Sequence, residues 1–99
     1  MESQAYIFLT EEIMKTETLS KQETYWTGIA QAQLLGRKIV QVRYLSHEEA
    51  DDLGWYERCV VIQLDDGNLI LPSSDDEGNS AGALFTNNKA NPTLPVLRD

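Results

Sequence analysis

The sequence predicts a small α+β fold: a bent antiparallel sheet with a short inserted helix and an N-terminal helix. Three patterns predict it. Ser-x-x-Glu spacing, typical of a helix start, occurs at Ser20 and again at Ser46. Apolar and polar residues alternate over 37–45, as in a half-buried strand. Asp66-Gly67 separates two apolar runs, which is typical of a hairpin. An SH3-like, partly open barrel is the alternative, because short strands with Gly-rich corners curl.

The N-terminal part of the chain, residues 1–35, is predicted to be helical or mixed. Residues 6–9 are apolar and suit a short strand, and Thr10 caps a brief helix over 11–15. The better-marked helix covers 21–35, and Gly36 closes it. Its apolar stripe is interpreted as core contact and consists of Tyr25, Trp26, Ile29 and Ala32 or Ala30.

The strand over 37–45 is predicted to bury one face, formed by Val40, Val42 and Tyr44. Ser46 and Glu49 form the capping box of the short inserted helix. That helix is predicted to end at Gly54, where a left-handed residue suits a C-terminus.

Strands over 58–65 and 69–72 are predicted to form a hairpin with a two-residue type I′ loop at Asp66-Gly67. This register places Leu64 opposite Leu69. It also directs one apolar set to a single core face: Val60, Ile62, Leu64, Leu69 and Leu71. The other face carries Val61, Gln63 and Ile70, and we expect the N-terminal helix to cover it.

The C-terminal part begins with a turn-rich loop over 73–80, followed by a short strand over 83–85. Beyond it the chain resembles a loosely held tail, in which Leu94, Val96 and Leu97 dock as an edge segment. We therefore expect one domain over 1–99, with an extension at 1–35, a compact core at 36–86 and a tail at 87–99.

Composition restricts the partners of this 99-residue chain. It has 8 basic and 16 acidic residues, a net charge of −8, which disfavours nucleic acid and anionic membranes as partners. The single cysteine, Cys59, lies in an apolar run and is interpreted as a core residue of a cytoplasmic protein. We expect no secretory signal, because residues 1–4 lack a basic region.

The acidic loop over 73–79 is the strongest candidate site. Its carboxylates, hydroxyls and amide are the oxygen donors that hard cations prefer, although the spacing is not that of an EF-hand. The favoured interpretation is a turn, in which Ser and Asp side chains cap backbone amides and Gly78 takes positive φ. Trp55 either fills the core or joins a recognition surface beside the loop. The candidate binding residues are Trp55, Ser74, Asp75, Asp76, Glu77 and Asn79.

Catalytic groups are sparse. His47 is the only histidine, and no Gly-x-Ser-x-Gly nucleophile elbow is present. No catalytic residue, metal ligand or cofactor is predicted.

Several short strings occur in a characteristic order: Gly-Trp at 54–55, Leu-Asp-Asp-Gly at 64–67, Pro-Ser-Ser-Asp-Asp-Glu-Gly-Asn at 72–79 and Gly-Ala-Leu-Phe at 82–85. Over 36–86 this order resembles a family of small uncharacterised bacterial proteins. The resemblance implies one compact unit and, because that family has no assigned activity, no function.

The leading functional hypothesis is a non-enzymatic cytosolic binding or interaction module for an unidentified protein partner. One alternative is a small-ligand or metal-dependent enzyme centred on the loop over 73–79. Another is an acidic mimic that docks a basic protein through Asp51, Asp52, Glu57 and the loop. A homodimer is also compatible with the sequence, because the second sheet face is only partly polar.

Overall fold

The structure is a computed structural model that describes residues 20–99. The chain divides into two compact units, Met1–Gly36 and Arg37–Asp99. The strand predicted over 6–9 and the helix predicted over 11–15 lie outside the described residues.

The described part of the first unit is helix α1, Lys21–Leu34. Its start is capped as predicted, because the Ser20 hydroxyl accepts a hydrogen bond from the Glu23 N–H at 3.0 Å. Tyr25 and Trp26 pack edge to face, 5.2 Å between ring centroids, but both are exposed. No α1 side chain is buried, so the interpretation of this stripe as core contact is wrong.

The second unit contains two antiparallel sheets and one helix. Strands β1 (Ile39–Tyr44), β2 (Val60–Leu64) and β3 (Leu69–Ile70) form the larger sheet in the order β1-β2-β3. Helix α2, His47–Leu53, is inserted between β1 and β2. Strands β4 (Leu84–Phe85) and β5 (Thr93–Leu94) form the smaller sheet. The α+β prediction is confirmed. Within the described residues neither sheet closes into a barrel, so the SH3-like alternative is not observed.

The β2–β3 hairpin differs from its predicted register by one residue. The Gly67 N–H donates to the Leu64 carbonyl at 3.0 Å, and the Leu64 N–H donates to the Asn68 carbonyl at 2.9 Å. Gly67 has φ 90°, whereas no described non-glycine residue has positive φ, so Asp66 cannot occupy a type I′ turn. This is a three-residue loop with a G1 bulge.

The bulge changes which residues face the core. Ile62 pairs with Ile70, and Gln63 pairs with Leu69. Since paired residues share a face, Leu69 lies on the face of Val61 and not on that of Ile62. Val60, Ile62 and Leu64 share one face as predicted, and Val60 and Leu64 are buried. Leu69 and Leu71 lie on the other face, so the prediction of a single five-residue core face is wrong.

The main core lies on the Val61 face. Val61 is only 1% exposed, and the inserted helix α2 contributes Ala50 to the same cluster. On the predicted buried face of β1, Tyr44 is partly buried, but Val40 and Val42 are exposed, so the prediction is wrong for the two valines. The remaining cluster members are Leu45, Trp55, Cys59 and Ala81, with Leu71 and Val96 partly buried against them.

The C-terminal segment is tied to the rest of this unit. Leu94 pairs with Leu84, and Arg58 and Leu97 exchange two backbone hydrogen bonds of 2.9 and 2.8 Å. Arg58 Nη2 also donates to both carboxylate oxygens of Asp99, at 2.6 and 2.8 Å. The predicted docking of Leu94 and Leu97 as an edge segment is thus observed.

Candidate functional site

Asp75 organises the acidic loop. One carboxylate oxygen accepts hydrogen bonds from the backbone N–H groups of Glu77 at 2.9 Å and Asn79 at 3.2 Å. The other accepts from the Asn79 side-chain amide at 2.9 Å. These donors, led by that amide, hold the pKa of Asp75 below its ordinary value. Both oxygens of Asp75 thus stabilise the loop.

The other candidate residues of the loop have separate roles. The Ser74 hydroxyl lies 2.7 Å from that of Ser80, across the base of the loop. Glu77 accepts a second hydrogen bond from the Asn79 amide at 3.2 Å. Asp76 is exposed and makes no hydrogen bond or ion pair within residues 20–99. Gly78 has φ 72°, as the turn interpretation predicts.

Trp55 links the acidic loop to the core. The residue is only 6% exposed, and its Nε1–H donates to the Gly78 carbonyl at 2.8 Å. The structure therefore brings Trp55 and the loop together, with the indole facing inward. Tyr56, the next residue, is 94% exposed. In the described part of the chain, no group of three His, Cys, Asp or Glu side chains could hold a metal ion.

A second concave feature lies between α2 and β3. This α2–β3 groove encloses about 290 Å³. Buried Leu45 and Val61 form its floor, and its other lining residues are Glu49, Asp52, Leu53, Leu69 and Leu71. Leu53 and Leu69 are 50% and 48% exposed, so a large part of each apolar side chain is available to a ligand.

The two carboxylates of the groove differ. Glu49 forms a bidentate pair with Arg43, at 2.8 and 3.0 Å, and accepts from the Ser46 N–H at 2.8 Å. These contacts, led by the Arg43 hydrogen bond, lower the pKa of Glu49 to about 2. Asp52 is exposed and has no hydrogen bond or ion pair among the described residues. No side chain within residues 20–99 therefore neutralises its negative charge.

Sequence reasoning missed this groove because it depends on the hairpin register. A two-residue turn would place Leu69 and Leu71 beside Ile62, on the opposite face from α2. The signal that could have revealed it is the string Asp-Asp-Gly-Asn at 65–68. It fits a three-residue loop with glycine in the αL position, followed by a residue that completes the bulge.

No helix in the described residues is long and apolar enough to cross a membrane. No protein-family model matches the chain, and no curated protein or solved structure matches it either.

Proposed function

We propose that this protein is a non-enzymatic interaction module that binds a peptide segment of a partner protein in the α2–β3 groove. The observation that supports the proposal is the apolar groove itself, between half-exposed Leu53 and Leu69. Ligand sites are typically concave and apolar, with a few polar groups that fix orientation. This groove has that composition, and Asp52 is its polar group that has no partner in the described part of the chain.

The volume of the groove suits a few side chains better than a large cofactor. About 290 Å³ is at the lower end of the range for small-molecule pockets. A peptide that inserts one or two apolar side chains fits this volume.

Charge favours a basic partner. The chain carries a net charge of −8, which attracts basic proteins during diffusional encounter. The proposal keeps the basic partner of the acidic-mimic hypothesis and takes Asp52 as the residue that contacts it. The enzyme hypothesis has less support, because the carboxylate of Asp75 is already engaged by amides of its own loop.

We also propose a cytoplasmic location. Support comes from Cys59, a free and buried thiol, since unpaired cysteine is typical of reducing compartments.

Selection from a phage-displayed library of random peptides tests the proposed function. The bait is the full chain, compared with a Leu53→Ser, Leu69→Thr double variant that removes apolar surface from both sides of the groove. Tyr56→Ser is the matched control, because Tyr56 is more exposed than either leucine and does not line the groove.

We expect the parent and Tyr56→Ser proteins to enrich the same peptides and the double variant to lose them. Equal enrichment by all three proteins, or no enrichment by the parent, would contradict peptide binding in the groove.

A further inference from the structure

We infer that the occupant of the α2–β3 groove is an extended strand that adds to the open edge of β3 and presents a basic side chain to Asp52. This inference rests on the proposed function and specifies its ligand. It comes from two independent observations: the hydrogen-bonding geometry of the β3 edge and the charge at the groove.

No strand of the described part of the chain pairs with the β3 edge opposite β2. In an antiparallel ladder, successive residues direct their backbone N–H and C=O groups alternately towards and away from the partner strand. The hydrogen bond from the Leu64 N–H to the Asn68 carbonyl shows which residues point towards it. Ile70, which pairs with Ile62, therefore directs its backbone groups towards β2. Leu69 and Leu71 direct theirs to the opposite side, and neither forms a backbone hydrogen bond beyond the β2–β3 ladder within residues 20–99.

Two further backbone hydrogen bonds follow the end of β3. The Pro72 carbonyl accepts from Gly82 at 2.9 Å, and the Ser74 N–H donates to Ser80 at 2.9 Å. These bonds use backbone groups of Pro72 and Ser74, so neither involves the N–H or carbonyl of Leu69 or Leu71. Among residues 20–99, the two N–H donors and two carbonyl acceptors of Leu69 and Leu71 therefore have no backbone partner outside the β2–β3 ladder.

Strand addition at this edge directs side chains into the groove. Residues of an added strand that lie opposite Leu69 and Leu71 share their face, which is the face of Val61 and of the groove. These two positions are i and i+2 of the ligand. The mode is that of domains that bind an extended peptide by main-chain pairing and select it by alternate side chains.

The groove also specifies what those two side chains are. Leu53, Leu69 and Leu71 offer apolar contact, so one ligand side chain is aliphatic. Asp52 is the carboxylate without a partner among the described residues, because Glu49 is held by Arg43. A Lys or Arg two residues from the aliphatic residue would pair with Asp52.

A second copy of this chain fits the same edge less well. Pairing two β3 edges would bring two Asp52 carboxylates to one interface, between two chains of net charge −8. Like charges at an interface disfavour association. The inferred occupant is therefore a basic, extended segment of another protein.

Amide hydrogen exchange by NMR tests the inference on the full chain. The probe is the peptide acetyl-Thr-Lys-Thr-Leu-Thr-amide, and the control peptide has Glu in place of Lys. When the peptide occupies nine-tenths of the protein molecules, strand addition predicts that the Leu69 and Leu71 amides exchange about tenfold more slowly. Only the unbound tenth of the molecules can then exchange these amides. Val42 is the internal control: its amide faces the outer edge of β1, on the far side of the sheet, and should not change.

A charge variant tests the second half of the inference. Asp52→Asn should weaken binding of the Lys peptide severalfold, whereas Asp51→Asn, the same change one residue outside the groove lining, should have little effect. Equal affinity for the Lys and Glu peptides would overturn the role of Asp52.

The outcomes separate this inference from the proposed function. Shifts of the Leu53 and Leu71 methyl signals without slower exchange at Leu69 and Leu71 would overturn strand addition and leave peptide binding intact. Slower exchange that depends on protein concentration without peptide would overturn the choice of partner in favour of a second copy. If neither peptide changes the groove at millimolar concentration, the inferred ligand is wrong, and the display selection decides the proposed function independently.

Discussion

At the scale of single residues, Gly82 has the most restrictive environment among the described glycines. A Cβ built there would lie 2.8 Å from both the carbonyl carbon and the oxygen of Ser73. These are backbone atoms, which cannot rotate away as a flexible side chain can. The close approach lets the chain return from the acidic loop, where Ser73 and Ala81 form an isolated bridge.

Gly82→Ala should therefore lower the free energy of unfolding by about 1–3 kcal/mol, the usual cost of overpacking. Urea denaturation measures this loss. Gly28→Ala is the matched control, because a Cβ at Gly28 meets nothing within 4 Å and alanine favours a helix. A Gly82→Ala protein as stable as the parent would show that the close approach is absent in solution.

At the residue scale, Cys59 should also be protected from reagents. Its side chain is fully buried, and burial raises the pKa of the thiol. Iodoacetamide should label it only as fast as the second unit unfolds, so labelling should accelerate with urea. Tyr56→Cys provides an exposed thiol in the same molecule, and mass spectrometry should show one rapid addition followed by one slow addition. Two rapid additions would contradict the buried position of Cys59.

At the scale of elements, α2 is held by its capping box and by the Arg43–Glu49 pair. The Ser46 hydroxyl accepts from the Glu49 N–H at 3.1 Å, and the Glu49 carboxylate accepts from the Ser46 N–H. Glu49 also joins the helix to β1 through Arg43. One carboxylate thus fixes both the start of α2 and its attachment to the sheet that forms the groove.

This pair should make stability depend on pH. The pKa of Glu49 is lowered from 4.5 to about 2 in the folded protein, so its contribution is present above pH 4.5 and is lost as the pH falls towards 2. Glu49→Gln should reduce the slope of unfolding free energy against pH in this window. Glu48→Gln is the matched control, since Glu48 is exposed and forms no ion pair within the described range. Identical slopes for the parent and Glu49→Gln would contradict the pairing.

The two capped helix starts were predictable from the sequence, whereas the register of the β2–β3 hairpin was not. Ser20 and Ser46 act through neighbours three residues away, so a local pattern determines each helix start. The Asp-Gly dipeptide suits both a two-residue and a three-residue loop, and these differ by one residue in register. That single residue moves Leu69 and Leu71 to the other face, so the groove could not be predicted.

Burial was also only partly predictable. Alternation in β1 suggested a buried face at Val40, Val42 and Tyr44, but the two valines lie on an edge strand and are exposed. The acidic loop was predictable as a turn, since Asx capping and a positive-φ glycine are local features. Its attachment through Trp55 depends on a contact across 23 residues, which no local pattern contains.

At the scale of the whole molecule, charge and groove have complementary roles. Net charge acts at long range and should increase the association rate with basic segments, an effect that salt reduces. The groove acts at short range through Leu53, Leu69 and Leu71.

Raising the salt concentration should therefore slow association of the Lys peptide with the full chain while changing its dissociation rate less. Stopped-flow measurement of both rates checks this, and salt dependence confined to dissociation would contradict electrostatic steering.

The most direct test of peptide binding in the α2–β3 groove is a crystal structure of the protein with acetyl-Thr-Lys-Thr-Leu-Thr-amide. We expect an extended peptide beside Leu69 and Leu71, with its leucine in the α2–β3 groove and its lysine nitrogen within about 4 Å of the Asp52 carboxylate. A peptide bound along β1 or on the acidic loop, with the groove empty, would contradict it.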